Sequence, residues 1–199
     1  MIVGAAYGET EEASYIESDL YIEAPLAARV SVVSNHWVQT VSTFEGVDTR
    51  VQSDVNLKYR LLRSDHGVVA IQGGAVWDSR AAGECGEYGG DVRLLGGLSS
   101  HNGRFFANLE GGARVQGADC IHAKYDLALG WKPVRRFMAL AEVFVDDDLT
   151  YGESFKAQAS LVGFSREGRG LQLGVRVGVD GNDVIEPLIL LRYWSAPRR

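Results

Sequence analysis

The sequence predicts an all-β fold: a closed antiparallel transmembrane β-barrel of about 12 strands, formed as a single domain over residues 1–199. Three observations predict it. Side chains alternate between apolar and polar with a two-residue period through most of the chain. The connections between these stretches are acidic and basic in turn. The apolar face is aliphatic at strand centres and aromatic near strand ends. The alternation is clearest over 54–61, where Val55, Leu57, Tyr59 and Leu61 share one face and Asp54, Asn56, Lys58 and Arg60 the other. No helix presents that pattern.

Twelve strands are expected, at 1–8, 14–24, 29–41, 49–62, 67–78, 88–100, 104–115, 122–132, 136–146, 153–164, 169–179 and 184–194. Most are longer than the usual 5 or 6 residues of soluble sheets and near the roughly 9 to 11 that cross a bilayer at a tilt. The first occupies the place where a secretory leader would show a basic start and an apolar core. Residues 1–7 show neither, so an exported form would have lost its targeting segment or would carry it upstream of this start. The second strand puts Asp19, Tyr21 and Glu23 on its polar face, and the third carries His36 toward its end. In the sixth, Asp91 and Arg93 are polar-face residues. The seventh sets Phe105, Ala107 and Leu109 against Asn108, Glu110 and Arg114. The eighth sets Tyr125 and Trp131 against Lys124 and Asp126, and the ninth Phe137, Ala139 and Ala141 against Glu142. The tenth sets Phe155, Ala157 and Ala159 against Lys156 and Gln158. The last two set Leu173, Val175, Ile189, Leu191 and Tyr193 against Arg176, Glu186 and Arg192.

Composition agrees. No apolar run approaches the roughly 18 to 20 residues of a spanning helix, while 24 glycines and only 4 prolines suit many strands joined by tight turns. A net charge of −6 speaks against nucleic acid, which needs a clustered basic footprint.

One set of connections holds Glu9, Glu11, Glu12, Glu45, Asp48, Asp78, Glu84, Glu87, Asp119, Asp146, Asp147, Asp148, Glu153, Asp180 and Asp183 against Arg80 alone. The other set, with the C-terminal tail, holds Arg63, Arg104, Lys132, Arg135, Arg136, Arg166, Arg169, Arg198 and Arg199 against Asp65 and Glu167. A soluble barrel has no reason to sort its ends this way. An outer-membrane barrel has two chemically different ends, with longer outer loops and short inner turns. Both termini are then periplasmic and the acidic loops external. Tyr59, Trp77, Phe105, Tyr125, Trp131, Phe137, Phe155 and Tyr193 form the expected aromatic girdles at headgroup level. Asp54, Asn56, Lys58, Arg60, Asp91, Arg93, Asn108, Glu110, Arg114, Lys124, Asp126, Glu142, Lys156, Arg176 and Arg192 form the expected lumen, as a permeation path or as a network of cross-strand pairs.

The stretches YGGDVRLLGGLS (88–99), GRFFANLEGGARV (103–115) and KYDLALGWKPVRRFMALAEVF (124–144) resemble small outer-membrane barrels of Gram-negative bacteria, with the XagA-like barrels as the suggested group. That resemblance implies a link to surface polysaccharide and biofilm traits. The ending PLILLRYW resembles the terminal strand read by the barrel-assembly machinery, although 195–199 extend past the usual terminal aromatic.

Other chemistry has little footing. Cys85 and Cys120 fall in acidic connections separated by one hairpin, so a disulfide is expected, with two free thiols as the alternative. A metal site of Cys85, Cys120 and His122 lacks the spaced ligand pairs of zinc motifs. The run Asp146, Asp147, Asp148 with Glu153 fails the calcium-loop pattern, because Tyr151 stands where the turn glycine belongs. The stretch Gly163, Phe164, Ser165 begins like a nucleophile elbow but has Glu167 in place of the last glycine. Some barrels of this size hydrolyse lipids with serine, histidine and asparagine on the outer wall. Here His66 and His101 fall in turns, and His36 and His122 have no evident serine partner in the sequence, so no catalysis and no cofactor are expected. The expected task is a narrow channel for small solutes or a surface polymer. A non-conducting envelope barrel concerned with adhesion or polysaccharide display is the first alternative, and a soluble barrel that binds a lipophilic ligand the second.

Overall fold

The structure is a computed structural model that describes residues 1–10, 12–79, 85–117, 120–148, 152–180 and 183–195. Its strands are β1 (Ile2–Glu9), β2 (Ala13–Ala27), β3 (Val30–Thr43), β4 (Gly46–Arg63), β5 (Gly67–Asp78), β6 (Tyr88–Ser99), β7 (Phe105–Gln116), β8 (Cys120–Val134), β9 (Phe137–Asp148), β10 (Gly152–Phe164), β11 (Gly170–Asp180) and β12 (Asp183–Trp194). Each pairs antiparallel with its sequence neighbours, and β1 pairs with β12 from Ile2↔Trp194 to Tyr7↔Ile189, closing the barrel. Closure satisfies every strand edge inside the sheet, the condition for a β-structure to stand in hydrocarbon.

The alternation becomes inside against outside. On β4, Val55 and Leu57 are 54% and 59% exposed, while Asp54 and Asn56 between them are 5% and 1% exposed. Oily side chains thus cover the outer wall and ionic ones the interior, the reverse of a soluble barrel. On the side of β7–β12 the outer wall is hollowed by an apolar concavity of about 1220 Å³ where Ala107, Ala139, Ala141 and Ala159 supply only methyl groups.

The basic rim is built from the turns 28–29, 64–66, 100–104, 135–136 and 165–169 and from both chain ends, where the Met1 ammonium donates to Ser195 O at 2.9 Å. Arg29, expected in the third strand, lies in one of these turns. At the opposite, acidic rim the described connecting residues are Thr10, Glu12, Phe44, Glu45, Ser79, Cys85, Gly86, Glu87 and Gly117. By the strand bounds, only the β5–β6 connection at this rim is longer than those at the basic rim, where a general difference in loop length was expected. β2 runs three residues past its expected end because the chain absorbs Pro25, which has no ladder donor, in a register shift between Pro25 and Ala27. β4 starts three residues early because the β3–β4 ladder continues to a two-residue turn closed by Gly46, whose φ of 150° favours glycine. Glu11, Arg80, Glu84, Asp119, Tyr151, Arg198 and Arg199, and the side chains of Asp148, Glu153, Asp180, Asp183 and Glu186, lie outside what is described.

Candidate solute pathway

The lumen is walled unevenly. Along β2–β8 the inward positions are polar: Asp54, Asn56, Lys58 and Arg60 on β4, Asp91 and Arg93 on β6, Asn108, Glu110 and Arg114 on β7, Lys124 and Asp126 on β8. Glu142 on β9, Lys156 on β10, Arg176 on β11 and Arg192 on β12 continue the polar set more thinly. Between them the inner face of β9–β12 carries apolar groups. Met138, Leu140, Val162, Leu188 and Leu190 are all buried, the last two packed on Ala6 and against Tyr15. Near the basic rim Phe164 and Trp194 meet edge to face at 6.5 Å, and the Lys132 ammonium stands 5.7 Å from both the Phe106 and Phe164 rings. Gly130 permits this cluster, since a Cβ there would sit 1.9 Å from the Phe106 ring. This half of the lumen is filled, and it backs onto the hollow in the outer wall.

The polar half begins at the basic rim as a vestibule of about 460 Å³ whose lining includes Tyr21, Glu23, Lys58, Arg60, Asn108 and Glu110. Lys58 holds Glu23 at 2.5 Å. Deeper in, the Arg93 guanidinium lies 2.8 Å from Asp91, 3.8 Å from Glu110 and 4.0 Å from Asp126. Arg114 reaches Asp91 at 3.4 Å and, past the two strands between, Asp54 at 3.7 Å. Asn35 and Asn56 each donate to Asp54 Oδ1 at 2.7 Å. Toward the acidic rim Asp146 receives Lys124, with His122 at 3.5 Å. Positive and negative groups therefore alternate along the lane, with no single-sign stripe among the described residues.

A second network crosses the lumen. Glu17 on β2 takes Arg176 Nη1 from β11 at 2.6 Å, Gln39 Nε2 at 3.2 Å and Trp37 Nε1 at 3.4 Å. Arg176 Nε donates to Gln158 Oε1 at 3.1 Å, and Gln158 donates to Glu142. Arg192 on β12 reaches Asp19 on β2 at 3.2 Å; it passes over Gly4, where a Cβ would lie 2.5 Å from both partners. The Trp37 ring on β3 is capped by Lys156 from β10 at 5.8 Å and by Arg50 at 5.9 Å. Four strands separate β3 from β10 around the wall, so the Trp37–Lys156 contact is a chord through the lumen. Arg50 in turn holds Asp78 at 2.6 Å. Side chains from opposite walls therefore meet across the lumen at this level.

Glu17, Trp37, Arg50 and Asp78 were not among the expected lumen residues. Glu17 shares the parity of Asp19 and Tyr21, which was legible. Trp37 was not, because an aromatic in a barrel strand reads first as part of a girdle.

The expected girdle residues stand on outward positions in two groups. Tyr59, Phe105, Trp131, Phe137 and Tyr193 lie toward the basic rim and Trp77, Tyr125 and Phe155 toward the acidic one. Phe105 stacks on Trp131 with ring centroids 6.3 Å apart. Tyr7 and Tyr88 join the acidic-rim group, Tyr88 at 73% exposed.

The disulfide is present: Cys85 and Cys120 are bonded, with Cα atoms 5.4 Å apart, tying the β5–β6 connection to the start of β8. Bonded cysteines cannot be the thiolate ligands weighed above, and among the described residues no group of three or more His, Cys, Asp or Glu is placed to hold a metal. One expectation is corrected. His36 does have serine partners: Ser34 Oγ lies 2.8 Å from its Nε2 and Ser53 Oγ 3.0 Å from its Nδ1. Ser53 is 17 residues away and arrives only through the β3–β4 register. His66 and His101 meet at the basic rim, 3.2 Å apart.

No family model matches the sequence, and no curated protein does. Solved structures do. The chain is similar to the KdgM porin, with a TM-score of 0.65 at 9% identity over 98% of this chain and 100% of that one. It is also similar to the KdgM porin in complex with disordered oligogalacturonate, with a TM-score of 0.60 at 9% identity over 98% and 100%. A membrane protein from work on in-meso crystallisation gives 0.52 at 10% identity over 97% of this chain and 83% of that one. These likenesses, at so low an identity, show a shared fold: a closed antiparallel barrel, here of 12 strands.

Proposed function

We propose that this chain is an outer-membrane channel for small polar solutes, with its acidic rim outside, its basic rim and both termini in the periplasm, and its belt in contact with outer-membrane lipid. The observation that carries this reading is the divided lumen: a polar lane along β2–β8 beside a filled half, narrowed where Trp37 meets Lys156. A lane of paired charges of both signs replaces hydration without imposing one sign of ion, which suits neutral or zwitterionic solutes of narrow cross-section. The acidic mouth adds local cation enrichment. Insertion by the barrel-assembly machinery through β12 belongs to the same reading.

The test is conductance in planar bilayers together with liposome swelling, on detergent-extracted protein whose gel mobility is heat-modifiable. Small neutral sugars, a zwitterionic amino acid and oligogalacturonate serve as permeants. Discrete openings and uptake of the first two are expected; a folded barrel that shows neither overturns the channel.

The filled half and the cross-lumen contact favour a second reading, a closed envelope barrel tied to surface polysaccharide as in the XagA-like resemblance. Absence of conductance combined with a surface-attachment defect in a deletion strain supports it. The outward aliphatic belt removes the basis for a soluble carrier of a lipophilic ligand.

A further inference from the structure

The outer wall holds a polar group that neither conduction nor barrel stability requires. Outward positions on β3 and β4 supply the belt with Val30, Val32, Val38, Val55 and Leu57, but Ser34, His36 and Ser53 interrupt it. All three are half-buried, so they are open to the lipid side. They lie one ladder step from Trp77, the outward register partner of Ser53, at the aromatic level below the acidic rim. Placing an imidazole and two hydroxyls together against hydrocarbon is costly unless they satisfy one another.

Their arrangement is directional. Ser34 and His36 are two apart on one strand and so share a face, with Ser34 Oγ 2.8 Å from Nε2. His36 and Ser53 are register partners, with Ser53 Oγ 3.0 Å from Nδ1. A hydroxyl on Nε2 and an orienting acceptor on Nδ1 are the relation by which a base activates a serine nucleophile, with a third group fixing the tautomer. The Ser34 hydroxyl has one competing acceptor, Asp54 O at 3.2 Å; the shorter contact is to His36.

We propose that Ser34, His36 and Ser53 form a lipid-facing acyl-transfer site that takes the carboxylic ester of a membrane lipid. Ser34 Oγ attacks the ester carbonyl carbon and its proton passes to His36 Nε2, while the Nδ1 proton stays on the hydrogen bond to Ser53. Collapse of the tetrahedral adduct breaks the bond to the lipid alcohol, which leaves with the proton from Nε2. Water then attacks the acyl-Ser34 ester by the same relay, releasing a fatty acid and restoring the serine. No oxidant, reductant or metal enters the balance. Ser34 and His36 touch the reacting atoms; Ser53 is a positioning residue.

The full-length barrel in detergent, shown folded by heat-modifiable mobility, is incubated with a fluorophosphonate probe and, separately, with phosphatidylcholine in mixed micelles. Expected are a covalent adduct mapped by mass spectrometry to Ser34 and release of fatty acid. Ser34→Ala loses both, His36→Asn slows both by about 100-fold or more, and Ser53→Ala shifts the pH profile of labelling while leaving Ser34 the labelled residue. A folded wild-type barrel that neither labels nor releases fatty acid overturns the proposal, as does equal labelling of Ser34→Ala. If Ser34→Ala changes only the unfolding midpoint while the wild type stays unlabelled, the three groups merely satisfy one another and the proposal fails. Conductance reads the channel separately.

Discussion

Glu17 and Arg176 lie 159 positions apart in the chain and 2.6 Å apart in the barrel, joined over the two strands that close it. Both are nearly buried, so neither charge has water to fall back on. Replacing Glu17 by Gln leaves the guanidinium desolvated without its counter-charge, and a loss of about 3–5 kcal/mol is expected from urea unfolding in lipid vesicles. The double variant Glu17→Gln with Arg176→Met should recover much of that, since removing both charges removes the uncompensated one.

Trp37 should control passage more than stability. Its ring fills the chord between Lys156 and Arg50, so Trp37→Ala is expected to raise single-channel conductance and admit larger solutes in liposome swelling. Trp37→Phe keeps the ring faces for both cations and should stay close to the wild type. Equal conductance in all three places the narrowest point elsewhere.

The Cys85–Cys120 bond closes a sequence separation of 35 residues at the acidic rim. In the chain-entropy account such a link contributes about 3–4 kcal/mol by restricting the unfolded chain. Reduction, or Cys120→Ser with Cys85→Ser, should lower the unfolding midpoint without changing conductance, because Cys85 stands in the β5–β6 connection and Cys120 at the rim end of β8, beyond the charged residues of the lane.

Charge on the outer wall should be far less tolerated than charge in the lumen. Leu57→Arg is expected to cost about 2–4 kcal/mol in the bilayer. Asn108→Arg, whose side chain enters the vestibule, should leave stability almost unchanged and move ion selectivity toward anions. Similar penalties at both sites would mean that the two faces have been assigned the wrong way round.

Strand existence, parity and the chemical sorting of the rims were legible in the sequence, because a two-residue period and charged turns are local signals. Boundaries slipped where a local breaker was overruled by the ladder: Pro25 is absorbed by a shift in register, and 46–48 pair because β3 continues opposite them. The pairing of the site was not legible. Arg114 with Asp54 and Arg176 with Glu17 meet over intervening strands, which only curvature and closure bring about. Leu188, Leu190, Phe106 and Phe164 also escaped notice, since an apolar side chain on the inward face breaks the two-letter code on which the assignment rests.

The seam between β1 and β12 runs from Ile2↔Trp194 to Tyr7↔Ile189, with Met1 bonded to Ser195 just beyond it. A polypeptide without β11 and β12 therefore carries two raw edges with a row of open donors and acceptors on each. Burial of β1 in this register thus needs β12 in place, and a chain cut before β11 is expected to lose the seam and to be more prone to aggregate than the intact barrel.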